Sequence, residues 1–131
     1  MWVVLKYKNN ELNFLKGDLK KKLGQQPKIY QPKIKLQRLI KNKIKFLERN
    51  LLEDYIFCYH EKFCDKKLIL FLNNLRGLKY FLKNCHINQN EIINFIKSCK
   101  KMRMKMVILN KNFSILKILR KEFLLKVLLQ I

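Results

Sequence analysis

Residues 49–63 read RNLLEDYIFCYHEKF, and their reading decides how the rest of the chain is organised. Aromatic and β-branched residues dominate Asp54–Tyr59, which predicts a β-strand. Side chains on a strand point alternately to its two faces. Tyr55, Phe57 and Tyr59 therefore share one face, and Ile56, Cys58 and His60 share the other. Both faces can be buried, so this strand belongs inside a sheet with material on each side. The heavier, aromatic face raises the question of what the three rings meet.

Outward from that strand the chain divides by pattern. Trp2–Tyr7 predicts a first strand centred on Val3 and Val4, and Asn9 or Asn10 can cap the helix that follows. Leu12, Leu15, Leu19 and Leu23 recur at helical spacing, with Gly24 where a helix stops. Lys28–Leu36 is extended, because Pro27 and Pro32 exclude helix and favour an edge strand. Residues 33–46, KIKLQRLIKNKIKF, alternate basic and apolar residues about Lys41-Asn42. This predicts a hairpin that buries Ile34, Leu36, Ile44 and Phe46 and keeps its lysines wet. Glu61–Asn74 reads as a short helix or an anchored loop, and Leu78–Leu82 as another short strand. Asn88 to Glu91 resembles a capping box, opening a helix with Ile92, Ile93, Phe95, Ile96 and Cys99 on its apolar stripe. The expected class is α+β, an antiparallel sheet of about four strands flanked by helices. One domain over residues 1–102 is followed by a tail over residues 103–131.

The totals bound the function. The 131 residues suffice for one domain with a core, and 49% are hydrophobic, which argues against disorder. No apolar run is long enough to span a membrane, and the opening MWVVLKYKNNE lacks a signal-peptide pattern; a cytoplasmic location is expected. Thirty Lys and Arg against nine Asp and Glu give a net charge of +21. Residues 1–50 carry 14 basic and 3 acidic groups, residues 51–100 carry 8 and 5, and residues 101–131 carry 8 and 1. Such self-repulsion calls for a polyanion or an acidic partner, with nucleic acid first among them. Abundant Lys, Asn and Ile also match what AT-rich coding would supply, so part of the charge has a compositional origin.

Cys58, His60, Cys64, Cys85 and His86 could be drawn as a metal cluster, but no CxxC pair is present. Buried free cysteines packing as small hydrophobes account for the pattern more simply, so neither metal nor cofactor is expected. No Gly-rich phosphate loop, HExxH motif or oriented nucleophile–base pair occurs, so no enzymatic activity is expected.

The order of elements and the residues they carry resemble the N-terminal domain of the NusG family of transcription elongation factors, including its RfaH-like members. Trp2 stands where the family has a Trp before its first strand, and Tyr30 and Pro32 match a Tyr-x-Pro pattern. Leu51-Leu52-Glu53-Asp54-Tyr55-Ile56-Phe57 resembles Leu-Phe-Pro-x-Tyr-x-Phe, with Glu53-Asp54 in place of the Pro region. Arg76-Gly77-Leu78-Lys79-Tyr80-Phe81 resembles Arg-Gly-Val-x-x-Phe. In the tail, Met106 to Phe113 is similar to the start of a KOW domain and Leu125–Ile131 to a later strand of one, truncated and without its glycines. The same tail also fits a helix through Ile115, Leu116, Leu119, Phe123, Val127 and Ile131.

The resemblance implies a monomer that grips the clamp helices of the largest RNA polymerase subunit, with Tyr55 and Phe57 receiving the helix tip. It further implies contact of Lys8, Lys21 and Arg76 with the non-template DNA strand. Ile69 to Leu72 fall where the family places a polar gate-loop contact, and here they are apolar. The rival reading is a free-standing basic protein that binds single-stranded nucleic acid without polymerase, by stacking and phosphate contacts.

Overall fold

Leu15, Leu19 and Leu23 form a buried stripe because four-residue spacing returns side chains to one face of a helix. In the computed structural model, which describes residues 1–103 and 107–108, that helix, α1, spans Leu12–Leu23. It follows strand β1 (Trp2–Tyr7) and ends on Gly24, whose φ of 79° is the left-handed stop. The start differs from expectation. Glu11, not Asn9 or Asn10, is the N-cap, without a side-chain cap bond. Asn10 instead takes the left-handed turn (φ 67°) that redirects the chain.

Pro32 splits the second extended piece into β2 (Lys28–Tyr30) and β3 (Lys33–Ile40). The hairpin is completed by β4 (Lys43–Asn50), with Lys41 and Asn42 both at positive φ, the requirement of a tight type I′ turn. Next come β5 (Tyr55–Tyr59), a 3-10 turn (Glu61–Cys64), α2 (Lys66–Phe71), a second 3-10 turn (Leu72–Asn74), β6 (Leu78–Phe81) and α3 (Gln89–Arg103). A two-residue β7 (Val107–Ile108) pairs in parallel with β3. The expected domain boundary after residue 102 thus falls in the last turn of α3. The remaining tail readings, KOW-like strand or helix, lie outside the described residues.

The fold is α+β. Its main sheet is four-stranded in the order β2-β5-β1-β6, with every neighbouring pair antiparallel. Alternation on β5 holds: Ile56 and Cys58 join Val3, Leu5, Leu15, Leu19, Phe63 and Leu72 on the α1 side. Phe57 joins Val4, Leu52, Leu82, Ile92 and Ile96 on the α3 side. Helices on both faces give the sheet two apolar layers, the arrangement that a strand buried on both faces demands.

One glycine is indispensable to this layering. Gly77 has φ 86°, and a Cβ there would lie 2.6 Å from the Glu11 carbonyl oxygen and 3.2 Å from the Leu15 Cβ. Only glycine lets the turn before β6 press against the first turn of α1. On the other face Gln89 acts as a clip. Its Nε2 donates to the Trp2 and Cys85 carbonyls at 2.6 and 2.7 Å, and its Oε1 accepts from the Trp2 N–H at 2.9 Å. The side chain thereby continues the ladder of β1 and ties α3 to the sheet.

The hairpin departs from expectation. Ile44 and Phe46 are each 58% exposed, and Ile40 and Leu47 are exposed too. Register gives the reason. Ile34 pairs with Arg49, whereas Lys35 pairs with Glu48. Ile44 and Phe46 alternate with Glu48, so they stand on the face of Lys33 and Lys35, opposite Ile34. A two-residue turn therefore mixes apolar and charged residues on both faces, and neither face can seat on a core.

Candidate functional site

Across the middle of the main sheet, register aligns Tyr55 on β5, Lys6 on β1 and Tyr80 on β6 in one row. The two phenol oxygens are 2.9 Å apart in a hydrogen bond. The rings meet edge to face with centroids 6.5 Å apart, and the Lys6 Nζ lies 5.3 Å from the Tyr55 ring centre. Tyr80 is exposed, while Tyr55 and Lys6 are half-buried. A cation against one of two hydrogen-bonded phenols makes a firm amphipathic patch, because each group limits the freedom of the next. The patch continues past α3 to Trp2 and Tyr59, whose rings are 5.4 Å apart.

Phe57 does not belong to the presented surface. It is fully buried, with its ring 5.8 Å from Phe95 of α3 and 6.2 Å from Tyr30. Expected to receive a partner's helix together with Tyr55, Phe57 is instead covered by α3 and lies beside the row on the same face of β5. The burial follows from its place on a central strand directly beneath α3. Tyr80, which sequence reasoning passed over, takes its place on the surface. Its place comes from the pairing of β6 with β1, which sets Tyr80 opposite Lys6 as β5 sets Tyr55.

Approach to β5 is shaped by Leu51 to Asp54. Glu53 adopts a left-handed conformation (φ 54°), and the Asp54 carbonyl accepts from the Tyr7 N–H at 3.0 Å. The alternation of β5 begins directly after this turn, at Tyr55.

Lys8 and Arg76 come together at the start of α1. The Lys8 N–H donates to the Gly77 carbonyl at 2.7 Å. Arg76 stacks on Phe14, its guanidinium carbon 3.6 Å from the ring centre, and its Nε lies 3.9 Å from a Glu11 carboxylate oxygen. Lys21 sits apart from them, exposed in the last turn of α1 beside Lys20 and Lys22. Lys8 and Arg76 thus flank the start of α1, and Lys21 lies in its last turn.

The cysteines are divided by the sheet. Cys58 is buried on the α1 side and Cys85 on the α3 side, so the two thiols cannot meet. Burial pushes the Cys58 thiol up to about 12, against a smaller lowering by Lys16. Cys85 is raised by burial too, while its backbone bond with Val4 lowers it. His60 is engaged locally: its Nδ1 accepts from the Lys62 N–H at 3.1 Å and caps the turn after β5. Among the described residues no group of three His, Cys, Asp or Glu is placed to hold a metal, and no helix is long and apolar enough to cross a membrane.

The patch and the basic helix face lie on opposite sides of the sheet. No protein-family model matches the chain, and no curated protein matches it either, so the chemistry of these two surfaces carries the functional reading.

Proposed function

We propose that the chain is a NusG-like transcription elongation or antitermination factor that docks on the clamp helices of RNA polymerase and touches nearby DNA. The observation that carries this reading is the Tyr55–Lys6–Tyr80 row beside α3. Aromatic residues in a site that a partner can desolvate are the usual anchors of an interface. These two are fixed by their mutual hydrogen bond and so need little ordering on binding. Phe57, on the same face of β5 as Tyr55, packs against Phe95 of α3 next to the row. The basic surface around Lys8, Lys21 and Arg76 would supply phosphate contacts that add affinity without sequence information. In this reading the protein binds and holds; it performs no covalent chemistry, and acts in the cytoplasm as a monomer.

A titration against purified core RNA polymerase tests it, with Tyr55→Ala and Tyr80→Ala alongside the unaltered chain. Saturable binding that survives high salt and weakens at least about tenfold in each variant is the expected result. Binding that ignores both tyrosines and disappears with salt sinks the docking reading. It would favour the free-standing single-strand-binding protein, for which the observation is the charge of the α1–α2 surface: residues 8–24 and 60–76 carry nine cations and four carboxylates.

A further inference from the structure

On the α1 side of the sheet, two phenylalanines that no core requires stand exposed, each with a cation against it. Phe14, in the first turn of α1, is 49% exposed and carries the Arg76 guanidinium at 3.6 Å. Phe71, at the end of α2, is 70% exposed, and the Lys22 Nζ from the last turn of α1 lies 5.4 Å from its ring centre. Eight residues of helix separate Phe14 from Lys22, about 12 Å of rise. Between them lie Lys20 and Lys21, exposed, with Lys8 beyond the Arg76 end. The acidic groups on this helix are Glu11, which faces Arg76, and Asp18, which is half-buried.

We propose that this surface is a single-strand nucleic-acid track, with the Phe14–Arg76 stack and the Phe71 ring as two base-stacking platforms joined by lysines. The proposal deepens the nucleic-acid half of the function argued above and depends on that half alone. Exposed rings offer π-faces to any base, and the outer plane of a stacked guanidinium serves as well as a ring. Arg76 is 60% exposed in its side chain, so that plane is open. The rise of about 12 Å along α1 from Phe14 to Lys22, the residue that meets Phe71, leaves room for a short run of nucleotides whose phosphates meet the intervening lysines. Duplex DNA hides its base faces, so the track selects single strands. Leu70, exposed beside Phe71, extends the apolar contact.

The test is fluorescence anisotropy with a labelled oligo(dT) 12-mer, the same sequence as a duplex, and phosphatidylglycerol vesicles, for the full chain and its Phe14→Ala, Phe71→Ala, Phe14→Trp and Tyr55→Ala variants. Both phenylalanines are exposed, so unchanged thermal melts are expected for all their variants. Each alanine should weaken single-strand binding about tenfold or more without altering its salt slope, since no charge is removed. Phe14→Trp should keep the affinity and Tyr55→Ala should leave it alone. Single-strand binding that ignores both rings, or equals duplex binding, overturns the track while leaving a phosphate-binding surface. Binding to vesicles that falls in Phe71→Ala, with none to the oligonucleotide, overturns it in favour of an anionic lipid surface. In every case the tyrosine-dependent polymerase titration stands or falls separately.

Discussion

Strands β4 and β5 are neighbours in sequence, and their environments could hardly differ more. Every side chain of β4 from Lys43 to Arg49 is exposed, while Ile56, Phe57 and Cys58 of β5 are buried. Both strands contain a large aromatic at their centre. What separates them is charge and partners. Within β5 no residue is charged, so both faces can meet a helix layer. In β4 a charge recurs at nearly every second position, and the turn places Ile34 and Ile40 of its partner β3 on the face opposite Ile44 and Phe46. Hydrophobicity is thus necessary for burial but not sufficient: register must collect it on one side.

Breaking β5 should cost most. Phe57→Ala is expected to destabilise the domain by about 3–5 kcal/mol, because a ring packed between α3 and the sheet leaves a cavity; equilibrium urea unfolding measures it. Gly77→Ala attacks the close approach through which α1 covers the other face of β5. Strain at its positive φ and the displaced Glu11 carbonyl should cost roughly 1–3 kcal/mol, read in the same way. Gln89→Ala removes the clip between α3 and β1. It leaves partly buried backbone groups of Trp2 to find other partners, a loss of about 1–3 kcal/mol, and faster amide exchange at Trp2 would place the damage.

Cys58 sharpens the comparison through pH. The unfolded thiol titrates near its ordinary value of 9.0, whereas the buried one holds its proton up to about 12. Between those values the unfolded chain binds fewer protons, so stability falls as pH rises, by up to about 1.4 kcal/mol per pH unit. Unfolding curves at pH 8 and pH 10 should converge on this difference when compared with Cys58→Ala. The smallest effect belongs to β4: Phe46→Ala should change stability by no more than about 0.5 kcal/mol, although it removes as large a ring as Phe57→Ala. A large loss there would show that the hairpin packs on something essential.

Much of this contrast is legible in the residues alone. Aromatic alternation from Tyr55 to Tyr59, the leucine spacing of α1, and Gly24 at its end are local signals, and each specifies its element directly. The hairpin and its turn are equally local. Burial of the hairpin's apolar residues was misjudged because alternation within each strand was visible, whereas the relative parity of the two strands depends on turn length. The site was legible in part. Tyr55, Lys8, Lys21 and Arg76 stand on the surface, but Phe57 lies beneath α3, and the position of α3 over β5 is a long-range fact. Tyr80, Phe14 and Phe71 were missed for the same reason, since their meaning comes from Lys6, Arg76 and Lys22, each far away in sequence.

The strand order β2-β5-β1-β6 also has a temporal side. β1 precedes both of its neighbours in the chain, β5 at Tyr55–Tyr59 and β6 at Leu78–Phe81. While the chain leaves the ribosome, Val3, Val4 and Leu5 must wait, unpaired and apolar, for half the domain to be synthesised. The hairpin can close meanwhile on its own short turn. Contacts of long sequence separation form slowly, so β1 stays uncovered longer than the hairpin strands do. Its protection is completed only when Gln89 arrives and locks Trp2 in place.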